Sequence, residues 1–187
     1  TRLCIREIKK CDKKKPVLYK RYLSTITADG VFMFSDTIDK ICDKLYVIDD
    51  EYGAVSGAIL KAVEKTTLSM GYEVYSCICP LSVNEKIDHL FIPEIKLGFT
   101  TSNKFHPYKK PYYKKIRTDR FLDKEWLSQY NYRMGFQRKA ARELLSEAAE
   151  FKRLWLSKHK ELEELYFSAC DFEKRENYMA QILKELK

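Results

Sequence analysis

The sequence holds no apolar run approaching the roughly 20 residues that a membrane-crossing helix needs. No signal-peptide pattern opens it either. A membrane protein and a secreted precursor are therefore not expected. Its six cysteines (Cys4, Cys11, Cys42, Cys77, Cys79 and Cys170) are scattered without the short spacings of a disulfide framework. That favours reduced thiols and a cytoplasmic setting. No tandem repeat is visible, and no serine or cysteine sits in a recognisable nucleophile turn, so no triad can be assembled.

What is present fits a soluble globular chain with one full core and an appendage: 187 residues, 45% hydrophobic and 33% charged. The net charge of +8 is unevenly placed. Residues 1–21 carry +7 and residues 104–120 carry +6, which leaves −5 for the remainder. Charge localised in this way marks two basic segments on a mildly acidic body. The chain begins at Thr1 rather than Met, which suggests a fragment or processed product of something longer.

The stretch Lys44–Leu60, KLYVIDDEYGAVSGAIL, organises the rest. It reads as a strand (Leu45–Ile48), a turn with Gly53 and Gly57, and a helix. This is the order a phosphate-cradling loop needs, because the helix start offers free backbone N–H groups. Laid on G-x-x-x-x-G-K-[ST], however, the window has Asp50 for the first Gly and Val55 for the second. Ser56 stands in the lysine's place and Gly57 in that of the Mg²⁺-binding hydroxyl. Val55 would crowd a phosphate, and Asp49, Asp50 and Glu51 would repel it. These three acids present either a Mg²⁺ site or a solvated acidic loop, and the latter is favoured because no phosphate-binding partner completes the coordination.

Along the chain, residues 1–20 read as a basic lead-in or linker, with a short strand around Leu3 and Ile5 and a Lys-rich run ending at Pro16. Val17–Thr27 reads as a first strand or edge, and Phe34–Lys44 as a short helix capped by Ser35. Gly57–Met70 is expected to be helical, and Tyr72–Ile78 a strand. A polar turn over Ser82–Asp88 leads to two further strands, His89–Ile95 and Leu97–Thr101. Alternating strands and helices over residues 21–103 predict an α/β core with a mainly parallel sheet. Cys77-x-Cys79 places two thiols on one face of a strand. With His89 or His106 they offer a weak zinc pattern, against which ordinary buried core cysteine is the preferred reading.

Residues 104–120, KFHPYKKPYYKKIRTDR, predict an exposed extended loop. Tyr108, Tyr112 and Tyr113 are placed to stack on bases, while Lys109, Lys110, Lys114, Lys115 and Arg117 meet phosphates. The same residues suit an acidic protein partner, and no nucleic-acid motif accompanies them. From Leu122 to Asp171 the pattern is helical. A seam steps by fours and threes through Gln137, Ala141, Leu144, Ala148, Phe151, Trp155, Lys158, Leu162, Leu165 and Ala169. Internal packing is favoured for that seam over an intermolecular coiled coil. A last helix from Phe172 is expected to pack back through Tyr178, Ile182 and Leu186, so that residues 121–187 form a helical arm or hairpin against the sheet.

Four segments in order, RYLSTITADG (21–30), GYEVYSCICP (71–80), KIDHLFIPEI (86–95) and HKELEELYFSACDFE (159–173), carry a resemblance. The chain resembles the second half of a family of two-halved P-loop-containing bacterial ATPases of unassigned role, often described as ATPase or nucleotide kinase. The resemblance implies a P-loop NTPase-like α/β fold and a phosphate loop at Asp50, Gly53, Val55, Ser56 and Gly57. It also implies a role for His106, which matches the family's His, whereas Thr101 stands where the family tends to have an acidic residue. With the loop degenerate, the expected function is a pseudo-ATPase scaffold or regulatory half, not an enzyme by itself and with no bound cofactor. The alternatives are an ATPase or nucleotide kinase binding ATP and Mg²⁺ through an atypical loop, and a nucleic-acid-binding module. The expected partner is the N-terminal half of the same protein or a further copy of the chain.

Overall fold

The computed structural model describes residue 8, residues 15–82 and residues 84–186. The expected strand at Leu3 and Ile5 and most of the basic linker lie outside the described residues. Among the described residues eight strands are present: β1 (Leu18–Arg21), β2 (Ser24–Thr27), β3 (Gly30–Met33), β4 (Lys44–Asp49), β5 (Val74–Ile78), β6 (Ile87–Ile92), β7 (Leu97–Ser102) and β8 (Lys114–Arg117). The α-helices described among them or after them are α1 (Ser35–Ile41), α2 (Ser56–Ser69), α3 (Lys124–Ser128), α4 (Asn131–Ala169) and α5 (Phe172–Glu185).

Six strands form one sheet in the order β1-β5-β6-β7-β4-β8, and β2 and β3 form a separate hairpin. β1 runs parallel to β5, and β4 runs parallel to both β7 and β8. β6 alone opposes its neighbours. The reason is connection length, since a parallel pair needs a crossover of a dozen or more residues. Residues 79–86 and 93–96 are too few. Pro93 opens a 3₁₀ turn over Pro93–Ile95, and Lys96 in the left-handed region (φ 49°) then reverses the chain. The fold is thus α/β with a mostly parallel sheet.

Two apolar layers cover the sheet's faces. On one, Leu60 and Val63 of α2 pack with Tyr46, Ile48, Leu90 and Phe99. On the other, Ile38 of α1, Leu23 and Tyr108 pack with Leu45, Val47 and Phe91. β4 is buried from Leu45 to Ile48 because both of its faces are covered.

Four expectations need correction. Ser35 is the first helical residue of α1 and not its cap, and Phe34 in the cap position supplies no side-chain bond. Cys77 and Cys79 do not share a strand face, because β5 ends at Ile78 and its pairing with β6 shifts register between Cys77 and Ile78. The basic segment 104–120 is not wholly loop, since β8 forms within it. Its lysines flank an exposed sheet edge, a common guard against edge-to-edge pairing. Finally, the helical arm does not fold back. Only the first part of α4 lies on the body, against β2 and β3. Tyr178, Ile182 and Leu186 are 65%, 39% and 77% exposed. The apolar stripe of the arm exists as read, but from residue 150 onward nothing among the described residues covers it.

Candidate functional site at the carboxyl ends of the strands

Most of the buried polar side chains gather where the parallel strands end. Asp50, Ser56, Asp88, His89, Thr100, Thr101, Ser102 and Thr118 are all buried there. β6 runs the opposite way, so its start brings Asp88 and His89 to the same edge. After β4 the chain turns into α2 on one face. After β7 it passes through Tyr108 on the other. Connections leaving adjacent parallel strands toward opposite faces open a crevice between their ends, the usual ligand position of an open α/β sheet.

The loop after β4 forms one wall. Asp50 is 1% exposed. Its Oδ2 accepts hydrogen bonds from the backbone N–H of Val55 (2.9 Å) and Ser56 (2.6 Å). Its Oδ1 lies 3.2 Å from the Thr118 hydroxyl. Burial alone would raise the Asp50 pKa. The N–H groups of Ser56 and Val55, with the Ser56 and Thr118 hydroxyls, outweigh it and hold the carboxyl below its ordinary range. A carboxylate at a helix N-terminus is also favoured by the positive end of the helix dipole. Asp50 therefore caps α2 from outside the helix, in a position that suits an anion. The acidic loop is accordingly not simply solvated. Asp49 pairs with Lys115 at 2.7 Å, and Glu51 pairs with Lys104 (2.7 Å) and Arg138 of α4 (3.1 Å).

Gly53 sits at φ 66°, and a Cβ there would lie 2.7 Å from the ammonium nitrogen of Lys86. Gly57 faces the same side chain, with the stem of Lys86 3.7 Å from its own Cβ position. Lys86 thus reaches the loop from the β5–β6 turn and supplies a cation beside it. Sequence reading missed it because the two segments are about thirty residues apart.

His106, on the other wall, is reached by neither Asp50 nor the α2 N-terminus through any hydrogen bond. Asn103 Oδ1 accepts from the N–H groups of Phe105 and His106, so its amide nitrogen donates to His106 Nε2 at 2.9 Å. The His106 proton then belongs on Nδ1, which is buried without a partner. Burial lowers the His106 pKa, with Lys86 acting in the same sense and Asp88 against it. His89 pairs with the Thr100 hydroxyl at 2.7 Å, and burial with nearby His106 pushes its pKa down to about 3. Both rings are neutral at physiological pH. Cys79 lies beside Asp88, and burial together with that carboxylate raises its thiol to about 11, opposite to the shift that activates a thiol nucleophile. Among the described residues no group of three or more His, Cys, Asp or Glu is spaced to hold a metal ion.

A cavity of about 480 Å³ lies outside β4 and β8, lined by Asp49, Tyr52, Arg117, Thr118, Lys124 and Asn131 among others. Of the basic residues read as a nucleic-acid patch, Lys110 pairs with Asp36 and Asp39, both at 2.6 Å, and Lys115 with Asp49. Lys109, Lys114 and Arg117 have no carboxylate within 4 Å among the described residues. Tyr108 is buried in the core and does not offer its ring to a base, Tyr113 packs edge-on against Tyr46, and Tyr112 is 48% exposed. No helix among the described residues is long and apolar enough to cross a membrane. Set against protein-family models, curated proteins and solved structures, the chain matches none of them.

Proposed function

We propose that the chain is a P-loop NTPase-like domain that has lost nucleotide chemistry and serves as a scaffold or regulatory half of a larger ATPase-family protein. The observation that carries the reading is the Asp50 carboxylate bound to the N–H groups of Val55 and Ser56. A phosphate arriving there has to displace a buried, hydrogen-bonded anion and then sit beside Asp49 and Glu51. Lys86 supplies a cation beside the loop, but Lys115, Lys104 and Arg138 are already engaged by Asp49 and Glu51. The strand–loop–helix order at β4 and α2 supports the P-loop likeness, and so does the crevice at the strand ends.

Calorimetry with ATP and GTP, each with and without Mg²⁺, tests the proposal. No binding is expected up to millimolar nucleotide, and no Mg²⁺-dependent hydrolysis. Tight Mg²⁺-dependent binding that disappears on changing Lys86 to Ala would instead identify an enzyme with an atypical loop. Asp50→Gly separates occlusion from simple loss. If the seat is only plugged, this variant gains affinity for inorganic phosphate or ATP.

A further inference from the structure

We propose that the distal part of α4 pairs with a second copy of this chain as an antiparallel coiled coil centred near Lys160. Met134, Ala141, Ala148, Trp155, Leu162 and Ala169 recur every seventh residue on one stripe of α4. The first three are partly covered by the body. Trp155 and Leu162 are 59% and 41% exposed, and Ala169 is exposed as well. The stripe that α4 uses to pack on the body thus continues bare for a further 20 residues, or about 30 Å. The companion positions Phe151 and Leu165 are 70% and 67% exposed. Together with Phe172 these side chains expose on the order of 500 Å² of apolar surface, as much as the largest patch of an ordinary monomer. Pairing two copies removes about 1,000 Å², the size at which an interface becomes specific.

Charge selects a second copy, and the antiparallel sense, as the occupant. From Glu150 to Lys160 the helix carries Lys152, Arg153, Lys158 and Lys160 against one acid, and it then turns acidic at Glu161, Glu163 and Glu164. Two copies related by a twofold axis at Lys160 lay each basic half over the other's acidic half, whereas parallel pairing sets like on like. Residues 150–186 hold seven Lys/Arg and eight Asp/Glu, so neither a nucleic acid nor a strongly charged protein is favoured. Volumes match in the same register. Phe151 falls opposite Ala169 of the second copy, Ala148 opposite Phe172, and Trp155 opposite Leu165. Lys158, which interrupts the stripe, falls opposite Leu162. Its stem covers that leucine, and its ammonium, already 2.9 Å from Glu161 of its own helix, reaches the second copy's Glu161.

Sedimentation velocity of the full chain over 1–50 μM is expected to show a dimer of the 22.2 kDa protomer. Trp155→Glu with Leu165→Glu, both at exposed positions, should weaken dimerisation at least about 100-fold with far-UV circular dichroism unchanged. In a Cys170→Ser background, mixing Lys152→Cys with Tyr166→Cys chains should give the mixed cross-link, whereas Lys152→Cys alone should give almost none. A monomer at 50 μM overturns the proposal. So does a dimer that survives the double substitution, or a Lys152→Cys chain that cross-links to itself, the mark of parallel pairing.

Discussion

Replacing Asp50 by alanine removes the acceptor of two short N–H bonds and a neighbour of the Thr118 hydroxyl, and leaves the start of α2 uncapped in a buried place. Loss of a capping side chain costs about 1 kcal/mol, and stranding buried donors adds about 1–3 kcal/mol. A loss of roughly 3 kcal/mol is therefore expected, which for a chain of this length lowers Tm by about 6–12 °C. Asp50→Asn keeps one acceptor oxygen and should cost about half as much. Both tryptophans, Trp126 and Trp155, lie on helices outside the sheet. Urea unfolding is therefore best followed by far-UV circular dichroism. The pH dependence provides an internal check. The native Asp50 pKa is depressed, so its stabilisation is fully present above the unfolded value of about 3.9 and is lost as pH falls through the native one. The gap between the native chain and Asp50→Ala should hold steady from pH 7 to 5 and close below about pH 4. A variant within 0.5 kcal/mol of the native chain at pH 7 would refute the reasoning, because the carboxylate would then not be holding the loop.

Gly98→Ala should cost about 2 kcal/mol in urea midpoint experiments, because its Cβ would lie 2.7 Å from Cys42 Sγ and 2.9 Å from Phe91. Adding Cys42→Ala should restore part of the loss. Of the five basic residues read as a nucleic-acid patch, Lys109, Lys114 and Arg117 have no carboxylate partner among the described residues, and these three would meet the phosphates of a bound single strand. Fluorescence anisotropy should then give a log–log salt slope of about −2, and Lys110→Ala should leave that slope unchanged.

The sequence pattern carried the secondary structure of the core well wherever short periodic runs were bounded by turns. The β4–loop–α2 unit lies within a residue or two of its reading. Less legible was anything that depends on a distant partner. Asp50 reads as a liability in a phosphate loop, because no local rule assigns capping to a residue outside the helix, five and six positions before the N–H groups it holds. Lys86 meets Gly53 only once β6 is set antiparallel, which connection lengths imply but apolar runs do not. The arm fails for a different reason. Amphipathic spacing reports that a face wants cover and is silent on whether the same chain provides it. Lys158, a member of the seam, lies on a helix face the body never reaches.

The loop and the arm are joined through Glu51 and Tyr52. Glu51 bonds Arg138 on α4, and the same guanidinium lies 5.2 Å from the centre of the Tyr52 ring. Each contact is half-exposed and individually modest. Their effect is one of constraint. The segment between β4 and α2 is held at Asp50 from within, at Glu51 by Lys104 and α4, and at Gly53 by the approach of Lys86. Loops that close over a ligand need low local stability and room to move. This one is tied at each of these residues, and two of the ties run to the root of α4. A rigid root is what a long bare helix needs to present its apolar stripe in one orientation, because the entropy of ordering the helix is then lost on folding and not on association.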